Sequence, residues 1–282
     1  MYKDGFICAK TSVNVFIRGV FENRRRKFMT IKKFNLATLL CSIILSALIS
    51  VEAQNKPVVG LYVAPSRLLL KGDEVPEDES NLNVLLREKF YPIGWSKDGK
   101  FAYYLEPPDE ACGCYFGHLI IQNLRTDKIV WEKRYESDEG GADTLKTYWK
   151  KSQKEFSAKL SEYGIVAQKR FPIQKSVIAY QKDTLNPILK VNIKSDGSDL
   201  GATGNVILDL VSKQKGKKTL YEYKLDPEKF DNLLDAKLSG SLISPFNSQA
   251  AIIMIETLRG WEGPPHVTHI KIIGASLTTG FK

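Results

Sequence analysis

Cysteine and histidine are scarce in this sequence of 282 residues, which contains four cysteines and three histidines. Four cysteines are too few for a small fold held together by disulfides, and three histidines leave few choices for the base of a catalytic triad. Glycine shows no collagen-like period. With 43% hydrophobic residues the chain is too apolar to be disordered, and it is long enough for one large domain or two small ones.

The sequence motifs of several enzyme classes are also missing. There is no Gly-x-Ser-x-Gly nucleophile elbow, no phosphate-binding loop and no dinucleotide fingerprint. The carboxylate pairs Asp109-Glu110 and Asp138-Glu139 lie in predicted turns, where carboxylates are usually solvated. A glycosidase needs two carboxylates facing each other across a cleft, which a sequence does not show. The sequence therefore identifies no catalytic residue and no cofactor.

The first 53 residues have the pattern of a targeting segment. Lys32 and Lys33 precede an apolar run over Leu36–Ile49, and the small residues Val51 and Ala53 precede a candidate cleavage point. A basic region, a short apolar run and a small-x-small end predict a secretory signal peptide over residues 29–53. The run has about 14 residues, fewer than the ~20 that a membrane-spanning helix needs.

The start of the chain has more than one interpretation. Met29 stands directly before the basic region, so we predict that translation begins there and that residues 1–28 are an over-called extension. A long basic leader is the alternative, and an uncleaved anchor helix is another. Lipid attachment at Cys41 is disfavoured because Leu40 stands where a lipobox needs a small residue.

Removing residues 1–53 changes the charge of the chain. The whole sequence has a net charge of +9, but these residues hold nine of its 41 Lys and Arg and three of its 32 Asp and Glu. The remaining 229 residues therefore carry a net charge of +3, which is ordinary for a mixed surface. We expect no nucleic-acid partner and no transmembrane segment after signal cleavage.

Residues 54–282 are predicted to form a single β-rich domain. Asp98-Gly99 joins the apolar segments Tyr91–Trp95 and Phe101–Leu105, which is a strong hairpin signal. Further strands are predicted at Val58–Val63, Leu68–Leu70, Tyr115–Asn123, Ile129–Tyr135, Ser176–Gln181, Leu189–Lys194, Asn205–Lys213, Thr219–Leu225, Leu238–Ile243, Ala250–Leu258 and Val267–Ile273. Strands at this spacing predict antiparallel meander sheets.

One amphipathic helix interrupts the strands near residues 143–163. Apolar residues from Leu145 to Tyr163 recur at steps of three and four, and lysines and glutamates occupy the opposite face. Asp143 is predicted to cap the start of this helix and Gly164 to close its end. A charged face of this kind is usually solvated, and the aromatic residues have the spacing of a core.

Two segments, Gly94–Tyr103 and Leu242–Ile253, resemble the hairpins of β-propeller blades. A blade needs about 40–45 residues, so the chain has room for at most about five. The predicted fold class is therefore mainly β, with meander sheets in a propeller-like or sandwich arrangement and one inserted helix.

The Gly94–Tyr103 hairpin, the Tyr115–Trp131 strand pair and the Arg259–Pro265 loop resemble a family of predicted secreted bacterial proteins of unknown function. The resemblance implies export. It supplies no activity and no catalytic residue.

Cys112-Gly-Cys114 lies in a predicted loop of what we expect to be an exported chain. Cys112 and Cys114 are a candidate disulfide, and a disulfide closed across one residue is strained and easily reduced. Three interpretations stay open: a structural oxidised pair, a redox-active pair, and a pair of thiolate metal ligands near His118. We predict no metal site. A metal shared by His266 and His269 is not expected, because side chains three apart on a strand point to opposite faces.

The loop that follows Gly260 suggests a ligand platform formed by Trp261, Glu262 and His266. A tryptophan on a loop fixed by glycine and proline offers a large contact area at low entropic cost. The alternative is that Trp261 caps one end of the core, where Trp95, Trp131 and Trp149 are also expected.

The sequence thus predicts an exported protein of the periplasm or the extracellular space, with a non-enzymatic role in binding a protein or glycan of the envelope. A secreted hydrolase acting on glycan or peptide is one alternative. A metal or redox module built on Cys112 and Cys114 is the other.

Overall fold

The computed structural model describes residues 60–71, 73, 85–195, 202–226, 232–261 and 263–282. Within these ranges the chain is mainly β and has thirteen strands and one helix, which confirms the predicted fold class. The predicted extension 1–28 and signal peptide 29–53 lie outside the described residues. The described part contains no helix with the length and hydropathy needed to cross a membrane.

The strands form three sheets, each built largely from consecutive antiparallel strands. The strands are β1 (Leu86–Arg87), β2 (Lys89–Trp95), β3 (Lys100–Glu106), β4 (Phe116–Asn123), β5 (Lys128–Glu136), β6 (Val166–Ala167), β7 (Ile178–Tyr180), β8 (Asp183–Ser195), β9 (Ala202–Ser212), β10 (Gly216–Leu225), β11 (Leu233–Ile243), β12 (Gln249–Leu258) and β13 (Val267–Ser276). The central sheet has the order β1-β13-β12-β11, the second sheet β10-β9-β8-β7, and the helix-covered sheet β5-β4-β3-β2-β6.

Both faces of the central sheet are buried. Along β12, Ala250, Ile252 and Met254 pack against the second sheet. The alternate residues Ala251 and Ile253 pack against the helix-covered sheet. A strand that is covered on both faces reads as a continuous apolar run, which explains the unbroken hydrophobic sequence of β12.

Strand β3 of the helix-covered sheet is also buried on both faces, whereas most of β5 is exposed. Phe101 and Tyr103 of β3 face the central sheet, whereas Ala102 and Tyr104 face the helix. The layers are therefore second sheet, central sheet, helix-covered sheet and helix. Of the two predicted arrangements, this face-to-face stacking is that of a sandwich.

The hairpin predicted at Asp98-Gly99 joins β2 to β3. Ser96 donates its backbone N–H to the carbonyl of Lys100 at 2.9 Å, and Gly99 has a φ of +95°. Glycine accepts this left-handed conformation without the strain that a Cβ would bring. This part of the prediction is confirmed.

The predicted helix α1 spans Leu145–Glu162, but its N-cap is Thr144 and not Asp143. Thr144 and Thr147 form a reciprocal capping box. Asp143 lies one residue too early to cap, and it accepts hydrogen bonds from Tyr135 and Lys151 instead. Gly164 closes the helix as predicted, with a φ of +66°.

The strand predicted at Val58–Val63 is wrong for the described residues 60–63, and that at Leu68–Leu70 is also wrong. The backbone of Tyr62 bonds to helix side chains and not to a strand: its N–H donates to Ser157 Oγ, and its carbonyl accepts from Trp149 and Gln153. The alternation of the segment places Tyr62 inward and leaves Leu61 exposed, without a sheet partner.

Candidate binding cleft

A cleft of about 770 Å³ opens between the helix-covered sheet and the edge of the central sheet. One wall is the inner face of β4 and β5, and the other is β13. Most of the lining is apolar, with Leu105, Phe116, Ile120, Ile129, Val267 and Ile270 among the lining residues. A largely apolar cleft of this size with a few converging polar groups is typical of a ligand site.

The cleft exists because β13 has a partner on its outer edge for only two residues. β1 pairs with Val267 and Thr268, and the chain then passes at Glu88 into the helix-covered sheet. Beyond that point the edge of β13 bonds to side chains, so the two sheets separate instead of continuing as one.

Three side chains satisfy the backbone of this edge. Glu88 Oε2 accepts the N–H of Ile270 at 2.5 Å. Gln122 Nε2 donates to the carbonyl of Ile272 at 3.0 Å, and Asp127 Oδ1 accepts the N–H of Gly274 at 2.7 Å. The bonds of Gln122 and Asp127 hold β4 and the β4–β5 turn against β13.

Glu88 lies in the wall of the cleft with 4% of its surface exposed. Burial raises the pKa of Glu88 to about 7, against the opposing influence of His269 and of the Ile270 hydrogen bond. The carboxyl therefore changes its charge near neutral pH. Burial likewise raises the pKa of Asp127 above its ordinary value.

Two histidines line opposite walls of the cleft, and each has a glutamate partner. His118 on β4 lies 2.8 Å from Glu132, and His269 on β13 lies 3.7 Å from Glu256. Burial lowers the pKa of His118, whereas the contact with Glu256 raises the pKa of His269. Near neutral pH the cleft thus presents one neutral imidazole and one that is more easily protonated.

The two lining cations are also paired. Lys271 Nζ lies 2.8 Å from Glu256, and Arg134 lies 3.4 Å from Glu132. Lys271 also donates to the hydroxyl of Tyr221 on β10.

The cysteine pair lies in the loop that leads into β4, and the structure joins Cys112 to Cys114 by a disulfide. Their sulfurs and a carboxylate oxygen of Glu136 lie within 4.8 Å of one another, the one cluster of potential metal donors of this kind in the described residues. While the sulfurs are bonded to each other they offer no thiolate. The same loop supplies Pro107, Pro108 and Glu110 to the rim of the cleft.

The loop after Gly260 meets this rim. Trp261 donates its backbone N–H to Glu110 at 3.1 Å, and 91% of Trp261 is exposed, so it is not a core residue. His266 Nδ1 accepts the N–H of Gly260 at 3.4 Å. Glu262 lies outside the described residues. The two loops singled out by sequence are therefore neighbours, but Trp261 and His266 lie beside the cleft and not in its lining.

Sequence reasoning missed Glu88, His118, Asp127 and His269 as members of one site. Glu88 carried little signal, because the pattern of residues 82–89 fits a helix or a strand and the basic residues Arg87 and Lys89 flank it. The convergence of the other residues carried none, since about 150 residues separate β4 from β13 along the chain.

No family model, curated protein or solved structure matches this chain. The resemblance to secreted bacterial proteins therefore stays a prediction.

Proposed function

We propose that this chain is an exported, β-rich binding protein of the periplasm or the extracellular space, and that its ligand occupies the cleft between β4–β5 and β13. The observation that carries the proposal is the cleft itself, which is largely apolar and brings Glu88, His118 and His269 together. Its volume suits a small molecule or the end of an envelope glycan or peptide.

The sequence supports the exported location through the basic, apolar and small-x-small pattern of residues 29–53. Cells expressing the full chain with a C-terminal tag should contain a processed protein that begins at Gln54 outside the cytoplasm. Recovery of unprocessed chain from the cytoplasm would contradict export without bearing on the cleft.

Filling the cleft tests the binding role. Ile129 lines it and is 50% exposed, so Ile129→Trp should narrow the opening while leaving the fold intact. Ile188→Trp is the matched control, because Ile188 is 42% exposed on β8 in the second sheet and does not line this cleft.

Thermal shifts would be recorded for the purified protein against a panel of envelope sugars, peptides and small metabolites. We expect some compounds to raise the melting temperature of the parent protein and of the Ile188→Trp variant. The same compounds should not raise the melting temperature of Ile129→Trp. A panel in which every stabilising compound acts equally on Ile129→Trp would refute ligand binding in the cleft.

A secreted hydrolase is the second candidate, and Glu88 is the observation that favours it. A carboxyl whose pKa is raised to about 7 by burial can donate a proton at neutral pH, and His269 is close enough to influence its charge. Chromogenic glycosides and peptides should then be cleaved by the parent protein and not by Glu88→Gln. Equal turnover by both would remove Glu88 from catalysis.

A further inference from the structure

We infer that the cleft selects an organic cation, meaning a ligand that joins a protonated amine to an apolar body. The inference rests on the proposed binding function and goes beyond it in naming the chemical class of the ligand. It follows from which charged groups of the cleft are already neutralised and which are not.

Each basic group of the lining has an acidic partner that does not itself line the cleft. Glu132 pairs with His118 and Arg134, and Glu256 pairs with His269 and Lys271. Neither glutamate lines the cleft. An anionic ligand would therefore compete with two carboxylates that already hold these cations.

The acidic groups of the lining are not neutralised. Glu88, Glu110, Asp127 and Glu136 all line the cleft, and none forms an ion pair within 4.0 Å in the described part of the chain. Glu88 accepts a backbone N–H from Ile270, and Glu110 accepts one from Trp261. These bonds hold both groups in place without bringing a positive charge to them, and Glu88, with a pKa of about 7, is ionised in about half of the molecules at neutral pH.

A cleft with a surplus of carboxylates is unexpected in a chain whose residues 54–282 have a net charge of +3. Glu88 is the buried member of this set, and because low-dielectric walls strengthen the field of a charge, its ionised form attracts a cation more strongly than an exposed carboxylate such as Glu110 or Glu136 does.

The arrangement suits an organic cation better than a metal ion. In the described residues, no three of these carboxylates lie close enough to share one ion, since the one such donor group contains both cysteines. The apolar wall formed by Leu105, Phe116 and Ile120 gives a hydrocarbon body a place to bind.

Glu88 makes the binding depend on pH. The groups that face it are His269 on β13, Glu256 on β12 and Tyr103 on β3. A bound ammonium favours the ionised carboxylate, so Glu88 loses a proton to solvent when the ligand binds. Affinity for an amine should therefore rise between pH 6 and pH 8.

The test uses three probes with the same six-carbon body: n-hexylammonium chloride, sodium hexanoate and 1-hexanol. Each is titrated into the purified protein and followed by amide NMR of the cleft residues. We expect hexylammonium to bind about tenfold or more tightly than the other two, the ratio that one favourable charge contact gives. Equal or tighter binding of hexanol or hexanoate would overturn cation selection while leaving the cleft as a binding site.

Variants identify the carboxylates responsible. Glu88→Gln keeps an oxygen for the Ile270 N–H, so it should fold, bind hexylammonium about tenfold more weakly and lose the rise in affinity with pH. Glu136→Gln removes the charge of an exposed lining residue without changing the buried part of the cleft and should also weaken binding. Glu155→Gln, on the exposed face of α1, is the control and should bind like the parent protein.

If none of the three probes perturbs the cleft residues, the cation inference fails. The proposed binding function is then judged on its own by the wider panel and the Ile129→Trp variant.

Discussion

At the scale of single residues, replacing Trp261 and Trp149 compares an exposed tryptophan with a buried one. The side chain is 91% exposed, so Trp261→Ala removes little buried area and should change the free energy of unfolding by less than about 0.5 kcal/mol. Trp149, with 2% exposed, is the contrasting variant: Trp149→Ala should cost about 3–5 kcal/mol. Urea denaturation of both would measure the difference. A loss above about 2 kcal/mol for Trp261→Ala would exclude a platform role.

The raised pKa of Glu88 predicts how the free energy of unfolding depends on pH. Its pKa is about 7 in the folded protein against an ordinary value of 4.5, so the folded state holds the proton more tightly than the unfolded state does. Stability should therefore fall as pH rises from 5 to 8, by on the order of 2–3 kcal/mol from this group. The raised pKa of His269 acts in the same direction, because its stabilisation is present at low pH and is lost as pH rises.

Urea midpoints between pH 5 and pH 8 would measure this dependence. Glu88→Gln should show a shallower fall, and the slope that remains is the balance of His269 and His118, because the lowered pKa of His118 makes its contribution to stability increase with pH. An unchanged slope in Glu88→Gln would show that the carboxyl does not titrate in this range.

At the scale of elements, the start of α1 depends on the Thr144–Thr147 capping box. Thr144→Ala removes a side-chain acceptor for a backbone N–H in the first turn and should cost about 1 kcal/mol. Thr126→Ala, at an exposed turn position, is the control for the loss of a threonine side chain. Thermal unfolding followed by circular dichroism would compare the two. Equal effects of both variants would argue against the cap.

The elements also show how far sequence reasoning reaches. The β2–β3 hairpin and α1 were predictable because a turn signal or a period of 3.6 residues is a local property. A strand was wrongly predicted at residues 60–63, because an alternating sequence pattern indicates which side chains are buried. It does not indicate which groups bond to the backbone. Here Tyr62 is buried against a helix whose side chains replace the neighbouring strand.

The candidate cleft was less predictable than the strands that form it. Its two walls come from β4 and β13, and their approach depends on long-range bonds such as that of Gln122 with Ile272. No local pattern encodes such a pairing. The two loops chosen from sequence, at Cys112 and Trp261, proved to be neighbours of the rim, because chain turns at one end of stacked sheets come together.

At the scale of the described molecule, the central sheet is covered on both faces along β12. The continuous apolar sequence of β12 reflects this position, because a strand with one face in solvent would alternate apolar and polar residues. The second sheet has such a wet face: Ile188 and Lys190 lie exposed on β8, and Leu185 is fully buried. The contrast between β8 and β12 therefore distinguishes an outer layer from a middle one.

Adjacent residues of β12 test this layering. Ile252 and Ile253 are both fully buried, Ile252 against the second sheet and Ile253 against the helix-covered sheet. Ile252→Ala and Ile253→Ala should each cost about 2–5 kcal/mol, because each leaves a cavity in a close-packed core. Ile188→Ala, at an exposed position of β8, should cost less than about 1 kcal/mol. Urea denaturation would compare the three variants. If only one of the two neighbouring isoleucines were costly to replace, the central sheet would have one covered face and not two.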